Sequence, residues 1–292
     1  MAPSPPPDPS PKPAALAAAL ARLRASPVTC AFAAANLALL TFAEAHGRTT
    51  ETLTLVRFGA CESALVGSGE VWRLATAMFL HIGWIHLLWN TYAAWGLCLA
   101  AERALGSARF AATYFVAGVG GNCASAVGHH AVCAGASGAL FGILGVYLVF
   151  MRRAAGDSRT FLAHPATRSV LRSVAIWFVL GMTVLPMDNF AHAGGLVTGI
   201  AVAALFTSRL DGRVVGASVA SLLAALVIAG ARPWHRSLSP AEADFLAFYG
   251  YACATGEGVP KDPARGVALL RRACDAGSAP ACQGLDSVTP AL

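Results

Sequence analysis

Four polar side chains stand out because they interrupt apolar runs: Ser137 in GASGALFGILG (135–145), His86 and Asn90 in HIGWIHLLWN (81–90), and His192 in DNFAHAGGLVTG (188–199). Together they are an inventory for nucleophilic acyl chemistry. A serine hydroxyl needs a base to take its proton, and an imidazole suits that task. A carbonyl under attack becomes an oxyanion and needs donors held ready for it. His192 is the candidate base for Ser137. His86, Asn90 and the Ser137 backbone N–H are candidate donors, with His86 and Asn90 four residues apart on one helix face. His81 is rotated off that face and reads as a structural hydrogen-bonding residue.

A third, orienting carboxylate is expected of a triad. The apolar runs that carry these residues hold no Asp or Glu apart from Glu102 at one edge, while Asp188 lies one turn before His192 near an exposed end. The expectation is therefore a Ser–His dyad, with Asp188 the weaker third candidate. The same inventory argues against competitors. An aspartyl protease needs two buried aspartates, and a zinc protease needs His-Glu-x-x-His. TGEGVPKD lacks the Gly-Lys-Ser/Thr ending of a phosphate-binding loop. No metal or cofactor is expected, and His129 and His130 read as solvated loop residues.

The elements that must position these groups are membrane spans. Of 292 residues 56% are hydrophobic and 12% charged, with mean hydropathy +0.59, against about 25% charged in an ordinary soluble domain. The net charge of +6 comes in short clusters between apolar runs, which fits membrane topology and not a nucleic-acid groove. A span needs roughly 20 apolar residues. Seven windows qualify: 27–45, 78–101, 110–127, 132–151, 170–187, 189–207 and 214–231. Residues 1–26 form a Pro/Ala-rich tail that reads as disordered, without the basic and apolar regions of a secretory signal. Residues 238–285 are polar and glycine-punctuated, a small soluble domain, and 286–292 are a tail.

Orientation follows from Lys and Arg in short loops. With the N-terminus inside, the inside collects 12 of the 21 basic residues, including Arg152, Arg153, Arg159, Arg168 and Arg172, and the loops at 122–136 and 186–190 have none. The basic loop is first a topology signal and only second a headgroup-binding segment. Only the first loop, 46–77, breaks the rule. Seven spans then put the C-terminal domain outside.

The four polar residues fall at one depth in the outer part of the bilayer. From Ser137 to Met151 is about 22 Å of helix, shorter than the roughly 30 Å hydrocarbon core. Ser137 should sit below the surface, and the loop before it should dip inward beside water. Gly138-x3-Gly142 and Gly195-x3-Gly199 are small-residue packing faces; if they meet, Ser137 and His192 come together. Cys123 and Cys133 flank the loop before Ser137, and two free thiols or a disulfide both fit.

Four motifs resemble the rhomboid intramembrane serine proteases. They are EVWR (Glu70–Arg73), His-x4-His-x3-Asn (His81, His86, Asn90), Gly-x-Ser-Gly (Gly135, Ser137, Gly138) and Ala-His-x-x-Gly-x-x-x-Gly (Ala191 to Gly199). The resemblance covers residues 27–207. It implies an all-α membrane protein with a six-helix rhomboid-like core, here with a seventh transmembrane helix, followed by a small helical-repeat domain. It implies hydrolysis of peptide bonds in or near transmembrane segments of single-span substrates, with a preference for small residues at the cut. Carried over, Ser137 is the nucleophile and His192 the base, with His86, Asn90 and the Ser137 amide as the oxyanion hole. Trp72 and Arg73 would brace the first loop, a half-submerged helical hairpin, and Phe141 matches the aromatic that packs on the catalytic imidazole. The expected setting is a bacterial plasma membrane, with the active site facing the exterior or periplasm. The alternative is a non-catalytic rhomboid-like protein that binds or escorts membrane clients; the intact Ser137 and His192 argue against it.

Residues 245–285 resemble one Sel-like repeat, a helix–turn–helix unit related to tetratricopeptides, through Gly256 to Asp262 and Ala273 to Gly277. That resemblance implies a protein or peptide partner and a disulfide between Cys274 and Cys282. Repeats of this kind usually need about three copies to bury a core, so a lone copy should dock on a neighbour.

Overall fold

The computed structural model describes residues 17, 20–128, 132–183, 187–231 and 238–289; most of the N-terminal tail, His129, His130 and residues 290–292 lie outside them. The described chain is helical: α1 (Pro27–Glu44), α2 (Thr52–Arg57), α3 (Ser63–Val66), α4 (Arg73–Thr76), α5 (Gly83–Leu105), α6 (Ser107–Gly128), α7 (Ser137–Ala155), α8 (Ser158–Ala163), α9 (Pro165–Thr183), α10 (Asn189–Phe206), α11 (Gly212–Ala231), α12 (Pro240–Thr255), α13 (Pro263–Asp275) and α14 (Ala279–Val288).

Five of these helices, α1, α6, α7, α10 and α11, are long and apolar enough to cross a bilayer, and the chain is an integral membrane protein. The two other expected spans correspond to α5 and α9. Their apolar character is diluted by His86, Asn90, Glu102 and Arg103 in α5 and by Arg168 and Arg172 in α9. Ile85, Leu88, Trp89 and Tyr92 on α5, and Val179 and Met182 on α9, point outward with most of their surface uncovered. In water such faces would be costly; against lipid tails they are the natural surface.

The bundle is organised around α10, which packs along both α6 and α7. Close approach is possible because the facing residues lack side chains. A Cβ on Gly195 would collide with the Gly138 carbonyl oxygen, and one on Gly199 with that of Gly142. The two Gly-x3-Gly faces therefore meet backbone to backbone.

Several boundaries differ from the sequence expectation. The second span starts at Gly83, because Ala77–Phe79 forms a 3-10 turn and Leu80 is extended. His81 thus lies before the helix, in a buried turn. The third span runs to Gly128, leaving a shorter re-entrant segment than expected, and α7 begins only at Ser137 and continues to Ala155. The C-terminal domain has three helices where a helix–turn–helix was expected; the third passes residue 285 and ends at Val288.

Segment 46–77 between α1 and α5 is a hairpin of short helices. At its centre the Arg73 side chain, 1% exposed, donates to the carbonyls of Val56 (2.7 Å) and Ala60 (2.9 Å) and to Glu70 Oε2 (2.7 Å). Trp72 lies alongside, its ring 4.5 Å from the guanidinium. One buried arginine thus joins the Gly59 N–H on the Val56 carbonyl and meets the Ala60 carbonyl, holding a tight turn together.

Candidate active site

Ser137 is the first residue of α7, so its backbone N–H is among the four that no helical carbonyl accepts from. His192 lies in the first turn of α10, whose N-cap is Asp188. The glycine contacts set the two helix starts side by side, and His192 Nε2 stands 2.9 Å from Ser137 Oγ. His192 is 2% exposed. Its Nδ1 has no hydrogen-bond partner among the described residues.

The imidazole is held by rings. Phe141, one turn after Ser137, stacks on it with centroids 4.3 Å apart and planes 11° from parallel. Phe178 of α9 meets His192 edge-on, centroids 6.3 Å apart, and Phe141 at 5.5 Å. Phe178 belongs to no motif; it sits alone on a separate helix, and nothing in its spacing marks it. The aromatic walls restrict the ring's rotation without needing a carboxylate.

Asp188 is engaged elsewhere. One carboxylate oxygen accepts from the Ala191 N–H at 2.9 Å and the other from Ser125 Oγ. It caps the helix that carries His192 and does not hydrogen-bond the imidazole.

His86 is oriented by the backbone. Its Nδ1 accepts the Ile82 N–H at 3.2 Å, which fixes the neutral ring with its proton on Nε2, a donor. That edge faces Gly135, where a Cβ would lie 2.7 Å from His86 Cε1 and the backbone has φ 137°. Both the conformation and the contact require glycine there. Asn90, one turn on, donates to the His86 carbonyl at 3.0 Å and lines a cavity with Asn36, Tyr114 and Ala136. Ala136 directly precedes Ser137, so this cavity reaches the back of the site.

Segment 132–136 is held from outside. Cys61 and Cys133 exchange both backbone hydrogen bonds, at 2.9 and 2.8 Å, and the Gly135 N–H donates to the Ala77 carbonyl at 3.0 Å. Cys123 and Cys133 are free thiols; Cys123 donates to the Leu226 carbonyl and Cys133 to Asn122 Oδ1. Among the described residues no group of three or more His, Cys, Asp or Glu is placed to hold a metal ion. Cys274 and Cys282 are joined by a disulfide.

A family model described as Rhomboid domain matches residues 68–209. The rhomboid protease GluP of Bacillus subtilis is 41% identical over 176 residues, 60% of this chain and 34% of GluP. RHOMBOID-like protein 1 of Arabidopsis thaliana is 34% identical over 161 residues, 54% of this chain and 40% of its own length. YdcA of Bacillus subtilis is 32% identical over 150 residues, and the match spans 51% of this chain and 73% of YdcA. The chain thus spans less than half the length of the first two and nearly three quarters of the third.

Proposed function

The chain belongs to the rhomboid family, and from that premise we propose that it is an intramembrane serine endopeptidase working through a Ser137–His192 dyad. The observation that carries this reading is the 2.9 Å contact between His192 Nε2 and Ser137 Oγ, on a ring stacked against Phe141. His192 Nε2 takes the Ser137 proton as Oγ attacks the scissile carbonyl. The new oxyanion is met by the Ser137 N–H at the positive end of α7 and by the Nε2–H of His86, joined by Asn90 if its amide turns from the His86 carbonyl. His192 then gives its proton to the leaving amine, and water, activated by the same imidazole, releases the acyl group.

Substrates in this reading are single-span membrane proteins entering from the bilayer. The C-terminal domain packs on the 46–77 hairpin, so the two share a side, and an even number of crossings must separate them. Four of the six long helices between are apolar spans, so α5 and α9 either both cross or both do not. At 23 residues α5 is about 34 Å long, enough to span, which makes seven spans. With the N-terminus inside, site, hairpin and C-terminal domain face the exterior, where a disulfide is stable.

The test is cleavage of a model single-span substrate by the purified chain in proteoliposomes, with the cut mapped by mass spectrometry. Wild type is expected to cut, and Ser137→Ala and His192→Ala to be inert. Full activity in Ser137→Ala overturns the proposal. Labelling of Ser137 by a fluorophosphonate, lost in His192→Ala, separates a protease from a non-catalytic binding protein.

A further inference from the structure

The core of the C-terminal domain continues into the hairpin. Its buried residues Leu246, Tyr249, Leu270 and Ala273 form one cluster with Val56, Ala64 and Leu65 of the hairpin, and Leu53 and Val132 pack at the edge. Three short helices make only a small core, of the marginal size that gains from a neighbour; here the hairpin adds to it. Polar contacts ring this shared core. Glu242 accepts from Ser63 Oγ at 2.9 Å, and Arg272 donates to the Ala64 carbonyl and to Ser68 Oγ.

The central contact is a carboxylate shared by two arginines. Glu70 Oε2 takes Arg73 Nε at 2.7 Å, and Glu70 Oε1 takes Arg265 of α13 at 2.5 Å. Arg265 also lies over the Tyr249 ring at 5.2 Å. Arg73 in turn holds the Val56 and Ala60 carbonyls. Ala60 is followed by Cys61, whose backbone pairs with Cys133, two residues before the glycine that packs on His86. An unbroken run of contacts therefore leads from α13 through Glu70, Arg73 and Cys61–Cys133 to Gly135 and Ser137.

We propose that the C-terminal domain is a clamp acting within its own chain: Arg265, through Glu70 and Arg73, is a positioning residue that fixes the hairpin and thereby the 132–136 segment bearing the catalytic serine. Its structural half stands without the protease reading; its effect on turnover rests on that reading. Arg265 reaches the site only through Glu70, Arg73 and the Cys61–Cys133 pair, so the clamp governs the fraction of molecules with a competent site and not substrate contact.

The experiment uses the full chain in lipid nanodiscs and reads hydrogen exchange at Cys61, Leu65, Cys133 and Gly135 alongside cleavage. Arg265→Ala should speed exchange at these amides about fivefold and lower kcat by a similar factor with KM unchanged. Arg265→Lys, which keeps the charge, should recover most of both. Ser63→Ala, at the opposite edge of the contact, should move exchange the same way, and the exposed Arg271→Ala should change nothing. Unchanged exchange in Arg265→Ala, or an equal rise in Arg271→Ala, overturns the clamp. A rise in exchange with kcat unaltered overturns its role in turnover. If wild type cleaves nothing while exchange follows the expected pattern, the protease reading fails and the clamp stands.

Discussion

Asp188 lies one helical turn before His192, yet its carboxylate goes to the Ala191 N–H and Ser125 Oγ and leaves the imidazole Nδ1 without a partner among the described residues. A triad's carboxylate fixes ring orientation and tautomer; here Phe141 and Phe178 hold the ring. Asp188→Asn keeps an oxygen for the helix cap, so kcat/KM should fall by about tenfold or less. Ser137→Ala and His192→Ala should each cost about a thousandfold or more. Kinetics on one single-span substrate decide the matter: a loss in Asp188→Asn equal to that in Ser137→Ala would make the site a triad.

His86 carries its proton on the edge that faces Gly135, two residues before Ser137, because Ile82 holds the other nitrogen. Removing one oxyanion donor costs about 100- to 1,000-fold in kcat, and His86→Ala should fall in that range. Asn90 spends its amide on the His86 carbonyl at rest, so Asn90→Ala should cost less. Single-turnover rates at saturating substrate read both, and the reverse order would reassign the principal donor.

Contact between α7 and α10 is made through backbone, which makes it intolerant of a methyl. Gly195→Ala places a Cβ against the Gly138 carbonyl, and overpacking of this kind costs about 1–3 kcal/mol. Gly216→Ala on α11 meets nothing within 4 Å and should be neutral or slightly stabilising, since alanine favours helix over glycine by about 0.5–1 kcal/mol. Thermal inactivation in one detergent compares them. Equal midpoints for the two variants would mean that the helices part easily.

Much of the site was legible because the bilayer makes polarity conspicuous: Ser137, His86, Asn90 and His192 stand in runs where a hydroxyl, amide or imidazole is costly, and the glycine spacings say which helices meet. Phe141, one turn after Ser137, is picked out only by the family resemblance. Phe178 is not picked out at all, since an aromatic in an apolar helix has no distinguishing neighbour. His81 was read as helical because hydropathy does not register a 3-10 turn. The hairpin contact was invisible for another reason. Glu70 and Arg265 are separated by 195 residues, and both are types that populate any water-facing surface. The expectation that a lone repeat needs a neighbour gave the reason for docking but not its address.

Glu62 gives the hairpin a pH dependence with a definite sign. Its carboxylate caps α3 by accepting the Leu65 N–H at 2.9 Å, and the side chain is 1% exposed. Burial pushes its carboxyl above the ordinary glutamate value, and the nearby Glu242 adds to the shift. The folded hairpin therefore favours the protonated form. Its contribution is fully present below the ordinary glutamate value, about 4.3, and is lost as pH rises from there through the raised folded value. Glu62→Gln keeps a capping oxygen and removes the ionisation. It should leave stability unchanged near pH 4 and raise it relative to wild type at pH 8, so the difference in melting temperature grows with pH. Groups away from Glu62 are common to both proteins and cancel in that difference. A difference that stays flat across this range would show that Glu62 ionises freely in the folded hairpin.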